Sequence, residues 1–252
     1  MAFAEPLITL TEEPFGPPPA PTGFLTKVFR ATEEANRRAI LRALPRTGGS
    51  LLDVGCHQGD FTARVAERLG TRDVHGVELL PGHAAAAAAR GIDAVVGDIE
   101  VGLPFADASF DVITANQVIE HVRATDRVLS EIRRVLRPGG VAVISTNNMA
   151  SWHNVISLVL GWQPLPMHVS DEVIVGNRMN PEHGMAHEDR GRMHVRLFTG
   201  VALSDLAAHH GLETRRMSTV GYYPLPPRPA ALATRLDPRH GAFLIAELGR
   251  GA

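Results

Sequence analysis

Between residues 51 and 146, short apolar runs alternate with segments of helical spacing. The runs lie at 51–54, 74–79, 94–97, 110–115 and 141–146, and the helical segments at 61–69, 84–90 and 118–136. Pro138-Gly139-Gly140 separates the last helix from the last run. A strand that returns parallel to its predecessor needs a crossover of a dozen or more residues, usually a helix. Strands that are apolar throughout are buried on both faces. The alternation therefore predicts an α/β fold, a doubly wound sheet with helices on both faces.

The flanks are read with the same rules. Residues 1–22 are Pro-rich and predict an irregular arm. Apolar residues at helical spacing, among them Leu25, Val28, Phe29, Ala39, Ile40 and Ala43, predict a helix over 23–44, stopped by Pro45 and Gly48-Gly49. Past residue 146 the alternation breaks. Residues 147–192 hold one apolar helix candidate, near 152–160, and then a polar stretch rich in His and turn residues. A helix over 200–211 and strands over 212–223 and 242–248 complete the reading. We expect one domain over 23–252, with 147–192 as an insertion that shapes a substrate site. No internal repeat is visible.

Composition excludes several classes. The net charge of −2 gives no field that would draw nucleic acid, and no basic stripe carries interleaved aromatics. Cys56 is the single cysteine, which excludes an internal disulfide and a Cys-rich zinc site and fits a reducing, cytoplasmic setting. The start lacks a basic n-region followed by a long apolar run, so no signal peptide is expected. No apolar run has the length that membrane insertion requires.

The end of the first run reads LLDVGCHQGDF, residues 51–61. In doubly wound sheets ligands bind beyond the carboxyl ends of the strands. Gly55 and Gly59 permit tight turns and close approach of a ligand to backbone N–H groups. Asp53 can hold the loop or accept from a cationic ligand. The spacing is D-x-G-x-x-x-G rather than the dinucleotide fingerprint G-x-G-x-x-G, and Asp60 stands where a helix begins. An acid there disfavours a pyrophosphate. It tolerates a ligand with an amino group and a sulfonium, which is the chemistry of S-adenosylmethionine. Glu78 closes the second run in VHGVELLP and can accept from two ribose hydroxyls at once. Asp98 closes the third in VVGDIE and can accept from an adenine amino group, with Ile99 against the ring.

The series LLDVGCHQGDF, VHGVELLP, VVGDIE, LPFADASFDVITANQVIEHV and LSEIRRVLRPGGVAVISTNN resembles the class I S-adenosylmethionine-dependent methyltransferases. The EHV element, the RVLRPGG turn and HVRLFTGVALSDLAAHHGLE at 194–213 are similar to the subgroup of quinone-biosynthesis and natural-product tailoring enzymes. The resemblance implies a Rossmann-like seven-stranded sheet with its last strand antiparallel and a lid insertion after the fifth strand. It implies S-adenosylmethionine as cofactor and assigns cofactor contacts to Asp53, Gly55, Gly59, Glu78, Leu79, Asp98, Ile99, Asn116 and Gln117, with Gln117 beside the methyl group. The chain departs from the subgroup at Thr146-Asn147-Asn148, where a Ser/Thr-Pro-Asn run is common.

Methyl transfer is an in-line displacement that depends on positioning. An oxygen acceptor also loses a proton, and His is the commonest base. His153, His168, His183, His187 and His194 lie in or beside the insertion, and His121 lies in EHV, read as part of a helix. His183, His187 and His121 are the base candidates. HGMAHEDRGRMH also raises a metal question through His183, His187, His194, Glu188 and Asp189, but Gly184 and Gly191 oppose the helix that would align its histidines, so no metal is expected. The expected function is methyl transfer to a small molecule, at oxygen, in secondary metabolism or in lipid, quinone or sugar modification. N- or C-methylation and a non-methylating cofactor-binding role stay open, as does a homodimer.

Overall fold

The computed structural model describes residues 23–46, 48–185 and 193–251. The arm at 1–22 and the centre of HGMAHEDRGRMH, including His187, Glu188 and Asp189, lie outside the described residues.

Seven strands form one sheet in the order β3-β2-β1-β4-β5-β7-β6. They are β1 (Leu51–Val54), β2 (Val74–Glu78), β3 (Asp93–Val96), β4 (Phe110–Asn116), β5 (Leu136–Asn147), β6 (Leu212–Val220) and β7 (Phe243–Arg250). The first five pair in parallel, and β7 is inserted antiparallel between β5 and β6. The helices are α1 (Phe24–Ala43), α2 (Asp60–Leu69), α3 (Pro81–Ala88), α4 (Thr125–Val135), α5 (Trp152–Val159), α6 (Gly200–His209) and α7 (Pro227–Leu236). The expected seven-stranded doubly wound sheet, with its last strand antiparallel, is what the chain adopts. No helix among the described residues is long and apolar enough to cross a membrane.

Alternation along each strand divides the core between the two faces of the sheet. Leu52, Val54, Ile113, Ile144 and Leu244 pack on one face with Ile132 of α4 and Leu203 of α6. Leu51, Val112, Val143 and Ile245 pack on the other with Ile40 of α1 and Val65 and Leu69 of α2. All four residues of β1 are buried, Asp53 among them. Chain order reverses at β1, which pairs with β2 on one side and β4 on the other. The crevice beyond this switch point is where such sheets take ligands.

Besides β5, which starts at Leu136 and so contains the Pro138-Gly139-Gly140 expected as a turn, with a register shift against β4 between Phe110 and Val112, two elements differ from the sequence reading. The helix expected over 118–136 begins only at Thr125, so His121 is not helical. Gln117 sits at φ 56, and the chain turns through 118–122. The Glu100 carboxylate then accepts from the backbone N–H of Arg123 (3.0 Å) and Ala124 (2.8 Å), which serves the exposed donors at the start of α4. The second difference is α7, which the sequence reading leaves unassigned. Pro227 stands in its first turn, where a proline costs no hydrogen bond.

Candidate functional site

The crevice is built first by the loop from β1 to α2. Gly55 (φ 73) and Gly59 (φ 84) are left-handed, as is His57 (φ 49). A side chain at Gly59 would place Cβ 2.5 Å from Ile92 Cδ1 and 3.1 Å from Ala87 Cα. At Gly55 it would meet Val118 Cγ2 at 2.6 Å. The two glycines are therefore required for close packing of the loop as well as for its turn. Gly59→Ala combines a positive φ with this overlap and should cost about 1–3 kcal/mol or more. Chemical denaturation would measure it, and an unchanged midpoint would remove the packing argument.

Asp53 lies behind the loop, 3% exposed. It accepts from the hydroxyls of Thr62 on α2 and Thr114 on β4, the latter at 2.7 Å. One carboxylate thus ties β1, α2 and β4 together. Burial pushes its pKa up to about 6, against the lowering effect of the two hydroxyls, and Glu78 adds to the rise. Cys56 is buried beside it, and burial, with Asp53 and Glu78, pushes its thiol up to about 12. Such a thiol packs and does not act as a nucleophile.

Glu78 ends β2 at the rim. Its two oxygens accept from the N–H of His57 (2.9 Å) and of Leu80 (3.1 Å), which fixes the carboxylate against the glycine loop. Each carboxylate oxygen has a further lone pair for a ligand hydroxyl. Leu79, next to it, is 51% exposed and offers an apolar face. Beyond β3, Asp98 is exposed and accepts from the N–H of Glu100 (2.8 Å), while Ile99 packs partly on the core.

Beyond β4 a chain of polar side chains begins in α1. Asn36 donates to Asn116 Oδ1 (2.9 Å) and accepts from Ser145 Oγ (2.6 Å). Gln117 donates to Ser145 Oγ (3.3 Å) and accepts from Asn147 Nδ2 (3.2 Å). Asn147 Nδ2 also lies 3.3 Å from Glu120 Oε1 and 3.4 Å from His194 Nε2. Glu120 is fully buried and accepts from Thr146 Oγ1 (2.8 Å), and burial pushes its pKa up to about 7. Its backbone carbonyl accepts from the N–H of Val195 (2.8 Å) and Arg196 (3.1 Å), so the chain entering α6 is docked on the turn after β4. His121 Nδ1 lies 3.2 Å from Met193 O and His194 Nδ1 3.0 Å from Pro166 O. The two rings are 4.8 Å apart, and His168 stacks on His194 at 5.1 Å.

Of the base candidates, His121 joins this cluster. His183 is exposed on the turn at 180–183, and the buried Glu120 cluster is built without it. Trp152 donates to Asp237 Oδ2 (2.7 Å) and Tyr223 to Met179 O (2.6 Å), contacts that fasten the insertion to the chain around α7. Asn36, Thr62, Thr114 and Ser145 have no role in the sequence reading, and Glu120 enters it only as the first residue of EHV. Two left a signal: Asn36 is an amide in the inward series Val28, Thr32, Asn36, Ile40, and Glu120 is a carboxyl between Ile119 and Val122.

Residues 52–144 match the family described as a methyltransferase domain. A protein of Mycolicibacterium smegmatis described as a "probable S-adenosylmethionine-dependent methyltransferase" is 32% identical over 187 residues, 73% of this chain and 67% of its own length. A malonyl-(acyl-carrier protein) O-methyltransferase of Erwinia billingiae is 33% identical over 171 residues, 63% of each chain. The chain spans from 20% to 67% of the length of the curated relatives it matches. A solved S-adenosylmethionine-dependent methyltransferase of Thermotoga maritima shares the fold at a TM-score of 0.60 and 20% identity, over 88% of this chain and 91% of that one. The chain therefore belongs to the class I S-adenosylmethionine-dependent methyltransferases, whose methyl donor is S-adenosylmethionine.

Proposed function

We propose that this chain moves the methyl group of S-adenosylmethionine to an oxygen of a small-molecule acceptor. Glu78 takes the two ribose hydroxyls. Asp98 takes the adenine amino group, with Leu79 and Ile99 against the ring. Gly55, Gly59, Asn116 and Gln117 line the rest of the donor, and the Asp53 carboxylate behind the loop supplies negative charge toward its ammonium and sulfonium. The acceptor is a product of secondary metabolism or a lipid, quinone or sugar, and the setting is cytoplasmic. The described part of the insertion, residues 147–185 with His183, shields it from water.

One observation carries the oxygen reading. The Asn147 amide connects Gln117, on the donor side, to Glu120 and His194. A buried carboxylate and imidazoles at that place supply what a hydroxyl acceptor needs, a partner for the proton it must lose. The sulfur–carbon bond breaks with its electron pair returning to sulfur as the oxygen–carbon bond forms.

The test is calorimetric titration with S-adenosylhomocysteine, with NAD in parallel, followed by a screen of hydroxyl, amine and carbon acceptors with labelled S-adenosylmethionine. We expect binding of the first and not of NAD, and label on a hydroxyl acceptor. NAD binding would overturn the donor assignment. Label on amine or carbon acceptors alone would move the reading to N- or C-methylation, and donor binding without transfer to any class would favour a non-methylating role.

A further inference from the structure

We propose that Glu120, His121 and His194 form a binding site for one divalent transition-metal ion of the zinc type, and that the ion holds the oxygen of the acceptor. The first half stands on the cluster alone; the second rests on the methyl-transfer reading.

Each of the three residues offers a ligand atom, and these atoms all lie within 4.8 Å of one another. Metal–ligand bonds of about 2.0–2.2 Å place ligand atoms roughly 3.4 Å apart in a tetrahedral site, so the atoms have to draw together by about 1.4 Å at most to close on an ion. The tautomers favour this use. Met193 O and Pro166 O can only accept, so Nδ1 of each imidazole carries a hydrogen, and in the neutral ring Nε2 is the ligand atom. An imidazole whose other nitrogen donates to a carbonyl is the usual second-sphere arrangement of a metal-bound His, because it fixes the ring and raises its basicity.

The donor set selects the ion. Two imidazoles with one carboxylate suit zinc, cobalt, nickel, manganese or ferrous iron, rather than magnesium or calcium, which prefer oxygen ligands. Three protein ligands leave a position open, as in catalytic rather than structural sites. The site is also preassembled. Glu120 and His121 follow β4, His194 precedes α6, and the backbone bonds from Val195 and Arg196 to Glu120 already hold these segments together. Asn147 then joins the cluster to Gln117. With the carboxylate and imidazoles engaged as ligands, a hydroxyl held at the open position would give its proton to solvent instead of to them, and more readily than a free hydroxyl does. Its oxygen takes the methyl group, and S-adenosylhomocysteine leaves.

The experiment uses the full chain, stripped with a chelator and titrated with Co²⁺ while the visible ligand-field bands are recorded, with Zn²⁺ as competitor. We expect one Co²⁺ per chain, displaced by Zn²⁺. Glu120→Gln is buried at a bonded position and can fail to fold, so His121→Ala and His194→Ala carry the comparison. Each should lose Co²⁺ affinity by more than the ~10–100-fold that loss of an outer partner costs. S-adenosylhomocysteine binding, measured on the same samples, should match the parent. Absence of Co²⁺ bands in the parent, or bands unchanged in both variants, would overturn the ion site whether or not the donor binds. Co²⁺ binding without donor binding would keep the ion site and overturn the methyl-transfer reading.

Discussion

Replacing Glu78 by alanine is expected to weaken binding of S-adenosylhomocysteine by about 100-fold or more, because two charge-assisted hydrogen bonds at ~1.5–3 kcal/mol each are lost, at ~1.4 kcal/mol per decade of affinity. The carboxylate sits at the end of β2, already fixed by the N–H groups of His57 and Leu80. It needs no reorientation to receive a ribose, so little of its binding energy is spent on ordering. The same substitution releases the rim of the glycine loop, which adds to the loss. Glu78→Gln keeps one acceptor oxygen and the side-chain shape, and should fall between parent and alanine. Calorimetry on the three proteins, with thermal unfolding to check the fold, makes the comparison. Parent-like affinity in Glu78→Ala would place the ribose elsewhere.

The features legible in the sequence are local ones. Apolar runs and helical spacing mark β1 to β5 because each depends on neighbours within a few residues. The three acids are legible because they stand at strand ends next to turn residues. What escaped the reading depends on partners far along the chain. Val118, Ile119 and Val122 have helical spacing, yet Glu100 serves the N–H groups of Arg123 and Ala124 and the helix starts later. The stretch PLPPRP has no assignment in the sequence reading, but Pro226 is the N-cap of α7 and Pro227 opens it, where a proline is tolerated. The Glu120 cluster needs residues 120, 147 and 194 at one place, which only the sheet brings about. The richest run of candidate ligands, HGMAHEDRGRMH, drew the sequence reading toward His183 and His187. Within the described part of that run, His194 is the residue that reaches the buried carboxylate cluster.

Asp53→Asn is expected to stabilise the ligand-free protein at pH 8 while weakening donor binding. The sign follows from the pKa. Asp53 ordinarily titrates near 3.8 and in the folded chain near 6, so the folded state holds the proton more tightly. Its contribution to stability is complete below about pH 4, is lost as pH rises from about 4 to 6, and changes no further above that, a loss of about 3 kcal/mol. Asparagine carries no charge to desolvate. It can still accept from one of Thr62 and Thr114 and donate to the other, so we expect a gain of about 1–3 kcal/mol at pH 8 that vanishes near pH 4. The ionised acid is thus retained at a cost to the fold, and the compensation lies in the ligand. Opposite charges ~6 Å apart at an effective dielectric of ~20 attract by about 3 kcal/mol, enough to draw a sulfonium and an ammonium to the loop. The variant should therefore lose roughly 10–100-fold in affinity for S-adenosylmethionine and less for S-adenosylhomocysteine, whose sulfur is neutral. Urea denaturation at pH 4.5 and 8, with titrations of both ligands, separates the two effects. Loss of stability at pH 8 with unchanged affinity for both ligands would reduce Asp53 to a clamp between Thr62 and Thr114.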